Sequence, residues 1–333
     1  MNSLDLEVLS RALDWLNQGY KAYLFTVIKT WGSAPRLPGA IAVIREDGHL
    51  VGSVSGGCIE DDLVDKAVHR ELPQVPGYLE YGVDQDDAQR FGIPCGGRLR
   101  IFVEPLTEPS QLRPIVESIA KRKLIKRSVN ISSGEWLLSA AAPGYSPSLD
   151  GDWFHSYFGP KWRLLIIGAN QLGSVLASMA QTLDFEVIVC DPRAEIAAEW
   201  QVEGVTWAQG MPDDVVLEIK PDEYTAVVAV THDPKLDDMA LLEALVSEAF
   251  YVGALGSMKS QEKRRERLRM FDLNEAQISR LKGPVGLPIG SRTPAEIAVA
   301  ILAELIQVRT QLRAEADRVI AGRAASQLSS CSA

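Results

Sequence analysis

The sequence predicts an α/β protein in two parts: an N-terminal α+β domain on a mixed sheet, then a C-terminal doubly wound parallel sheet. Three observations predict it. The first half holds short strands, two of them joined by a tight-turn dipeptide. The second half holds short, mostly apolar strands separated by helices. Between them, PGYSPSLDGDWFHSYFGP shows neither a helical nor a strand period. At 333 residues the chain has room for about two ordinary domains. The expected division is residues 1–141, a linker at 142–162, and residues 163–333.

Leu6, Leu9, Leu13 and Leu16 recur at helical spacing, and Gly19 follows where a helix stops. Ala22 to Thr30, Ala40 to Arg45 and Leu50 to Val54 read as strands. The last two meet at Asp47-Gly48, which tolerates the positive φ of a hairpin turn, and the loop TWGSAPRLPG (Thr30 to Gly39) separates the first two. Ile59, Leu63 and Ala67 mark one face of a second helix. An acidic stretch, Asp84 to Asp87, and the loop FGIPCGG (Phe91 to Gly97) precede a strand from Arg98 to Val103. In the second half, Arg163 to Ile167, Glu186 to Cys190, Tyr224 to Val230 and Phe250 to Leu255 are short and mostly apolar, as strands covered on both faces are. The last helix begins at Thr293-Pro294-Ala295-Glu296, where Thr caps, Pro fits the first turn and Glu returns a hydrogen bond.

Composition narrows the function. With 46% hydrophobic and 23% charged residues the chain is neither disordered nor fibrous. A net charge of −10 argues against a nucleic-acid partner. No apolar run reaches the ~20 residues of a membrane span, and the acidic N-terminus does not resemble a leader, so no membrane partner and a cytoplasmic location are expected. Cys58, Cys95, Cys190 and Cys331 lie too far apart for a disulfide framework or paired zinc ligands, which fits reduced thiols.

Several motifs can carry chemistry. RLLIIGANQLG runs from strand to helix with Gly168 and Gly173 in the first and third positions of a dinucleotide fingerprint, and Asp191 ends the next strand. This is a Rossmann-like pattern. Its middle position is Asn170, so a nucleotide site and a packing turn without ligand are both open. THDPKLD places His232 and Asp233 at the carboxyl edge of the sheet, as a base, a metal ligand or a helix cap. GALGSMKSQEKR and GLPIGSRTPAE put Lys259 and Arg292 beside glycine turns, either to hold an anion or as solvated basic faces.

The first half has the less common signal. In SGGCIE, Ser55, Gly56 and Gly57 lead into Cys58 at a strand-to-helix junction that favours thiolate over thiol. In FGIPCGG, Cys95 precedes Gly96 and Gly97. Glycines admit a bulky polar ligand, and a thiolate is a soft donor for a metal or for sulfur. The plainer reading is a small buried residue beside a turn.

Taken together, TWGSAPRLPGA, GSVSGGCIE, CGG, DPR (Asp191 to Arg193), THDP, YVGALGS and GLPIGSRTPAEIAVAILAEL resemble the XdhC/CoxI family, accessory factors of xanthine dehydrogenase and related molybdenum hydroxylases. The resemblance implies an N-terminal cofactor-handling domain and a C-terminal Rossmann-like domain. It implies a maturation chaperone, more a binder than an enzyme, that carries molybdenum cofactor, assists its sulfuration and delivers it to the apo-hydroxylase. A cysteine desulfurase is a further implied partner, and a homodimer the implied assembly. Carried over by position, Cys58 and Cys95 become the metal or sulfur ligands, with Ser55, Gly56, Gly57, Gly96 and Gly97 around them. In this reading both thiols line one hollow, and Arg36 or Arg98 helps with the pterin phosphate. Many members have a Gly-x-Gly-His turn where this chain has Gly168, Ala169, Asn170 and Gln171. The alternatives are an NAD(P)-dependent oxidoreductase using His232 as acid or base, and a structural adaptor between desulfurase and hydroxylase.

Overall fold

Three sheets organise the computed structural model, which describes residues 3–31, 36–57, 59–82, 98–141, 147–271 and 273–330. The chain divides into two compact units, Met1–Pro160 with Glu315–Ala333, and Lys161–Ala314.

In the first unit, strands β1 (Ala22–Trp31), β2 (Ile41–Arg45), β3 (Leu50–Gly52), β4 (Gly77–Tyr81) and β5 (Arg98–Leu106) form a sheet in the order β3-β2-β1-β5-β4. Every pair is antiparallel, which corrects the expected mixed sheet. A parallel pair needs a long crossover. Here the connection carrying helix α2 (Glu60–Val68) runs between the two edge strands, β3 and β4, which are not neighbours. β3 stops two residues short of expectation because Gly52 adopts φ +91°, and a Cβ there would lie 2.6 Å from the Ile41 carbonyl oxygen.

Alternation gives the sheet two buried faces. Phe25, Val27, Ile44, Ile101 and Val103 pack with Leu63 and Ala67 of α2. Leu24, Ile41, Val43 and Leu106 pack with Val8, Leu9 and Leu16 of α1 (Ser3–Asn17) and with Ile115 and Ile119 of α3 (Arg113–Ala120).

A second antiparallel sheet in this unit has the order β7-β6-β9-β8, from β6 (Ile125–Asn130), β7 (Trp136–Ala140), β8 (Ser148–Asp150) and β9 (Trp153–Phe158). The last two strands occupy the stretch read from sequence as aperiodic. Phe154, Ser156 and Phe158 are buried and alternate with half-buried Trp153, His155 and Tyr157, so β9 does have a period of two. Phe102 of β5 meets Phe154 at 4.3 Å between ring centroids, and Arg127 donates to Glu104 at 2.6 Å in a buried ion pair beside them.

The second unit runs β10 (Arg163–Ile167), α4 (Gln171–Thr182), β11 (Glu186–Cys190), α5 (Ala194–Glu199), β12 (Thr206–Ala208), α6 (Pro212–Ile219), β13 (Thr225–Ala229), α7 (Pro234–Val246), β14 (Tyr251–Ala254), α8 (Met258–Arg269), α9 (Glu275–Ser279), β15 (Leu281–Lys282) and α10 (Pro294–Ser330). The sheet is parallel throughout, in the order β12-β11-β10-β13-β14-β15. Leu165, Ile167, Ile188, Val227 and Ala229 pack on one face with Val215, Leu241 and Leu268 of α6, α7 and α8. Leu164, Ile166, Val187 and Val189, which alternate with them, are buried on the other face. This is the predicted doubly wound, Rossmann-like sheet, and strand order reverses between β10 and β13. Among the described residues no helix is long and apolar enough to cross a membrane.

Candidate functional site

The strand registers gather the motif-bearing loops of the first unit at one end of its sheet. Trp31 pairs with Arg98, Leu99 with Tyr81, Thr26 with Ile41 and Ala42 with Gly52. The end of β1, the start of β2 and the ends of β3 and β4 therefore share one edge with the start of β5. The described flanks there include Arg36, Ser53 to Gly57 and Arg98. Cys58, Cys95, Gly96 and Gly97 lie outside the described residues.

Glu60, at the start of α2, organises the Ser53–Ile59 loop. Its Oε1 accepts from the Ser53 hydroxyl at 2.7 Å and from the Val54 and Ser55 N–H groups at 2.9 Å. Its Oε2 accepts from the N–H groups of Gly57 at 2.9 Å and Ile59 at 3.3 Å, and from the Ser55 hydroxyl. The Gly56 N–H donates to the Ser53 hydroxyl at 2.9 Å. Burial pushes the Glu60 carboxyl up, but the Ser55 and Ser53 hydroxyls and the backbone donors outweigh it and hold the pKa at about 2. The carboxylate fills the position an anion would take, and Gly56 and Gly57 are exposed on the loop. Arg36, half-buried, donates to the Ser53 carbonyl at 3.2 Å, which ties the long β1–β2 loop to this one.

Sequence reasoning missed Glu60. An acid in the first turn of a helix is ordinary; its inward turn depends on the positive φ of Gly56 and Gly57.

In the second unit, Gly168, Gly173, Asp191, His232 and Asp233 come to the carboxyl edge of the sheet at the point where strand order reverses. The two glycines there are required by close backbone packing. A Cβ on Gly168 would lie 3.0 Å from Thr231, and one on Gly173 2.2 Å from the Gly168 carbonyl oxygen. Asn170 caps α4, accepting from the Gly173 N–H at 2.9 Å and donating to the Val230 carbonyl at 2.6 Å. Asp191 accepts from the Ala169 N–H at 3.0 Å and from the Arg193 side chain at 2.8 and 2.7 Å. Burial raises the Asp191 pKa, and these donors more than reverse it. The Ala169 and Gly173 N–H groups and the Asp191 carboxylate are thus engaged internally, and no hydride step is derived through this turn.

The remaining turns follow the same pattern. Asp233 caps α7, accepting from the Lys235 N–H at 2.9 Å, while His232 is exposed. Ser257 caps α8, with Lys259 exposed. Arg292 is exposed, and its N–H donates to Glu296 at 2.7 Å beside that of Thr293 at 3.0 Å, closing the capping box expected there. Beneath the β13 and β14 ends, Arg264 donates to Asp237 at 2.7 Å, to Asp238 at 3.0 Å and to the Leu255 carbonyl at 3.0 Å. Asp237 in turn accepts from the Thr231 hydroxyl at 2.7 Å, so one buried network fixes both loops. Cys190 is buried, and burial followed by the nearby Asp191 pushes its thiol up to about 12, which removes it as a nucleophile or ligand. Among the described residues no cluster of His, Cys, Asp and Glu could hold a metal ion.

Comparison with known proteins places this architecture. The XdhC Rossmann domain description matches residues 164–305, and the XdhC and CoxI family description matches residues 15–82. The chain belongs to the XdhC and CoxI family. This family member is 26% identical to the molybdenum cofactor insertion chaperone PaoD of Escherichia coli strain K12, over 91% of this chain and 88% of that protein. It is 25% identical to a probable xanthine dehydrogenase subunit of Bacillus subtilis strain 168, over 88% of this chain and 94% of that one. The crystal structure of a xanthine dehydrogenase from Bacillus halodurans superposes with a TM-score of 0.72 at 26% identity, covering 92% of this XdhC/CoxI chain and 96% of its own.

Proposed function

We propose that this protein binds molybdenum cofactor and delivers it to an apo molybdenum hydroxylase of the xanthine dehydrogenase type. The relationship to PaoD along nearly the whole chain supports the cargo, and the relationship to the probable xanthine dehydrogenase subunit supports the recipient. The observation that carries the reading is the shared origin of the motif loops: the ends of β1, β3 and β4 and the start of β5 lie at one edge. Loops that leave one edge can surround one ligand.

In this reading Glu60 is the internal brace. It fixes the backbone from Ser53 to Gly57, so that the two exposed glycines present a surface with no Cβ to obstruct a bulky pterin. Cys58 and Cys95 supply thiolate sulfur to the metal end of the cargo, and a cysteine desulfurase supplies the sulfur of a sulfurated product. The protein acts in the cytoplasm as a homodimer and binds without turnover.

The test is uptake. Purified full-length protein is mixed with cofactor released from a molybdenum enzyme, and molybdenum and pterin are measured after gel filtration. About one copy per chain is expected, with weaker retention in Cys58→Ala and Cys95→Ala. Failure of the wild type to retain cofactor overturns the proposal, and unchanged retention in both variants removes the thiols from it.

A further inference from the structure

A pterin cofactor carries a phosphate, and several backbone donors at the described glycine turns are engaged. The N–H groups of Val54, Ser55, Gly57 and Ile59 serve Glu60, those of Gly173 and Ala169 serve Asn170 and Asp191, and those of Arg292 and Thr293 serve Glu296. Side-chain cations are another way to hold it.

One group of cations stands apart, on β1 and β5. The β1–β5 register shifts between Val27 and Lys29, a bulge at Ile28. Val27 pairs with Ile101 on the face that packs against α2. Regular alternation would keep Lys29 and Trp31 on that buried face. The bulge carries them to the other face, where Lys29 pairs with Arg100 and Trp31 with Arg98. Four side chains thus share one patch at the edge where the motif loops leave the sheet. Trp31 orders it: the Lys29 ammonium lies 4.9 Å and the Arg100 guanidinium 5.7 Å from its ring centroid. Arg100 also pairs with Glu80, while Lys29 and Arg98 are exposed. Among the described residues, three cations against one carboxylate make a local excess in a chain of net charge −10.

We propose that Lys29, Arg98 and Arg100, set around Trp31 by the bulge at Ile28, form a phosphate-binding subsite for the phosphorylated tail of the cargo. The inference rests on the molybdenum cofactor reading and assigns the residues that hold its anionic end. Arg98 and Lys29 supply charge-assisted hydrogen bonds to phosphate oxygens, and Trp31 holds the cationic group in place.

Three full-length proteins test it: wild type, the double variant Lys29→Ala/Arg98→Ala and the charge-conserving Lys29→Arg/Arg98→Lys. The probes are released molybdenum cofactor and, as competitor, inorganic phosphate, with circular dichroism confirming the fold. The double alanine variant is expected to bind cofactor roughly 10- to 100-fold more weakly, and the charge-conserving one within about threefold of wild type. Inorganic phosphate should compete with wild-type uptake and not with the residual uptake of the alanine variant. Equal affinity of the alanine variant and wild type overturns the subsite while leaving the cofactor reading intact. Weakened uptake that phosphate does not contest overturns the ligand class, and absence of wild-type uptake overturns both proposals.

Discussion

The Gly57 N–H donates to Oε2 of Glu60 at 2.9 Å, placing the protein's own carboxylate inside a glycine loop of the kind that elsewhere encloses phosphate. Among its described residues the loop's backbone donors from Val54 to Gly57 and at Ile59 are taken from within, so these residues offer a ligand their outer surface.

Glu60→Gln puts an amide where two acceptor oxygens are needed. It should cost about 2 kcal/mol, read as a lower urea midpoint with unchanged slope. The pH dependence follows from the sign of the shift. The folded pKa, about 2, lies below the ordinary value of 4.5, so the contribution is full above 4.5 and fades as pH falls toward 2. Wild type and Glu60→Gln should therefore converge in stability on acidification; a constant gap from pH 7 to pH 3 would contradict this account.

Asn170 and Arg193 occupy the Gly173 N–H and the Asp191 carboxylate at the Rossmann turn. Isothermal titration with either nicotinamide dinucleotide should give no binding tighter than about millimolar, about −4 kcal/mol. Asn170→Ala, which loses the cap on Gly173, should lower stability by about 1 kcal/mol. A micromolar dissociation constant in the wild type would show that the turn opens.

The Arg264 network joins the loops after β13 and β14. Arg264→Ala leaves Asp237 buried without its cation and should cost about 3–5 kcal/mol in denaturant unfolding. A loss below about 1 kcal/mol would mean that water or another side chain replaces the guanidinium.

Cys190 should resist thiol reagents in the folded protein and react only on unfolding, because burial raises its pKa to about 12. Mass spectrometry of a timed alkylation locates the label; rapid native labelling of Cys190 would disprove its burial.

Much of this architecture is legible in the sequence. Strands β10, β11, β13 and β14 are apolar on both faces, and their alternation with helices specifies a parallel sheet. Strands β12 and β15 have three and two residues, too few to carry a period, so the sheet's edges are not readable. The second N-terminal sheet is hidden for another reason: β9 alternates aromatic, histidine and serine residues inside Pro- and Gly-rich flanks, and the flanks dominate the reading. The sites divide similarly. Thr293 and Glu296 announce their own capping box. Asn170 looks like an obstruction to a ligand and is a helix cap, a role that Asn favours at such a junction. The Ile28 bulge has no local signature, since it depends on a pairing made far along the chain, and Glu60 is hidden because its inward turn rests on the backbone conformation of Gly56 and Gly57 and on no residue pattern.

The most direct test of the central claim is transfer. Cofactor-loaded protein, freed of unbound cofactor, is added to apo-xanthine dehydrogenase, and hydroxylase activity is followed against an equal amount of free cofactor. The account predicts faster and more complete activation from the loaded protein, with cofactor leaving it as activity appears. Activation no better than with free cofactor, or cofactor retained while the hydroxylase stays inactive, would contradict it.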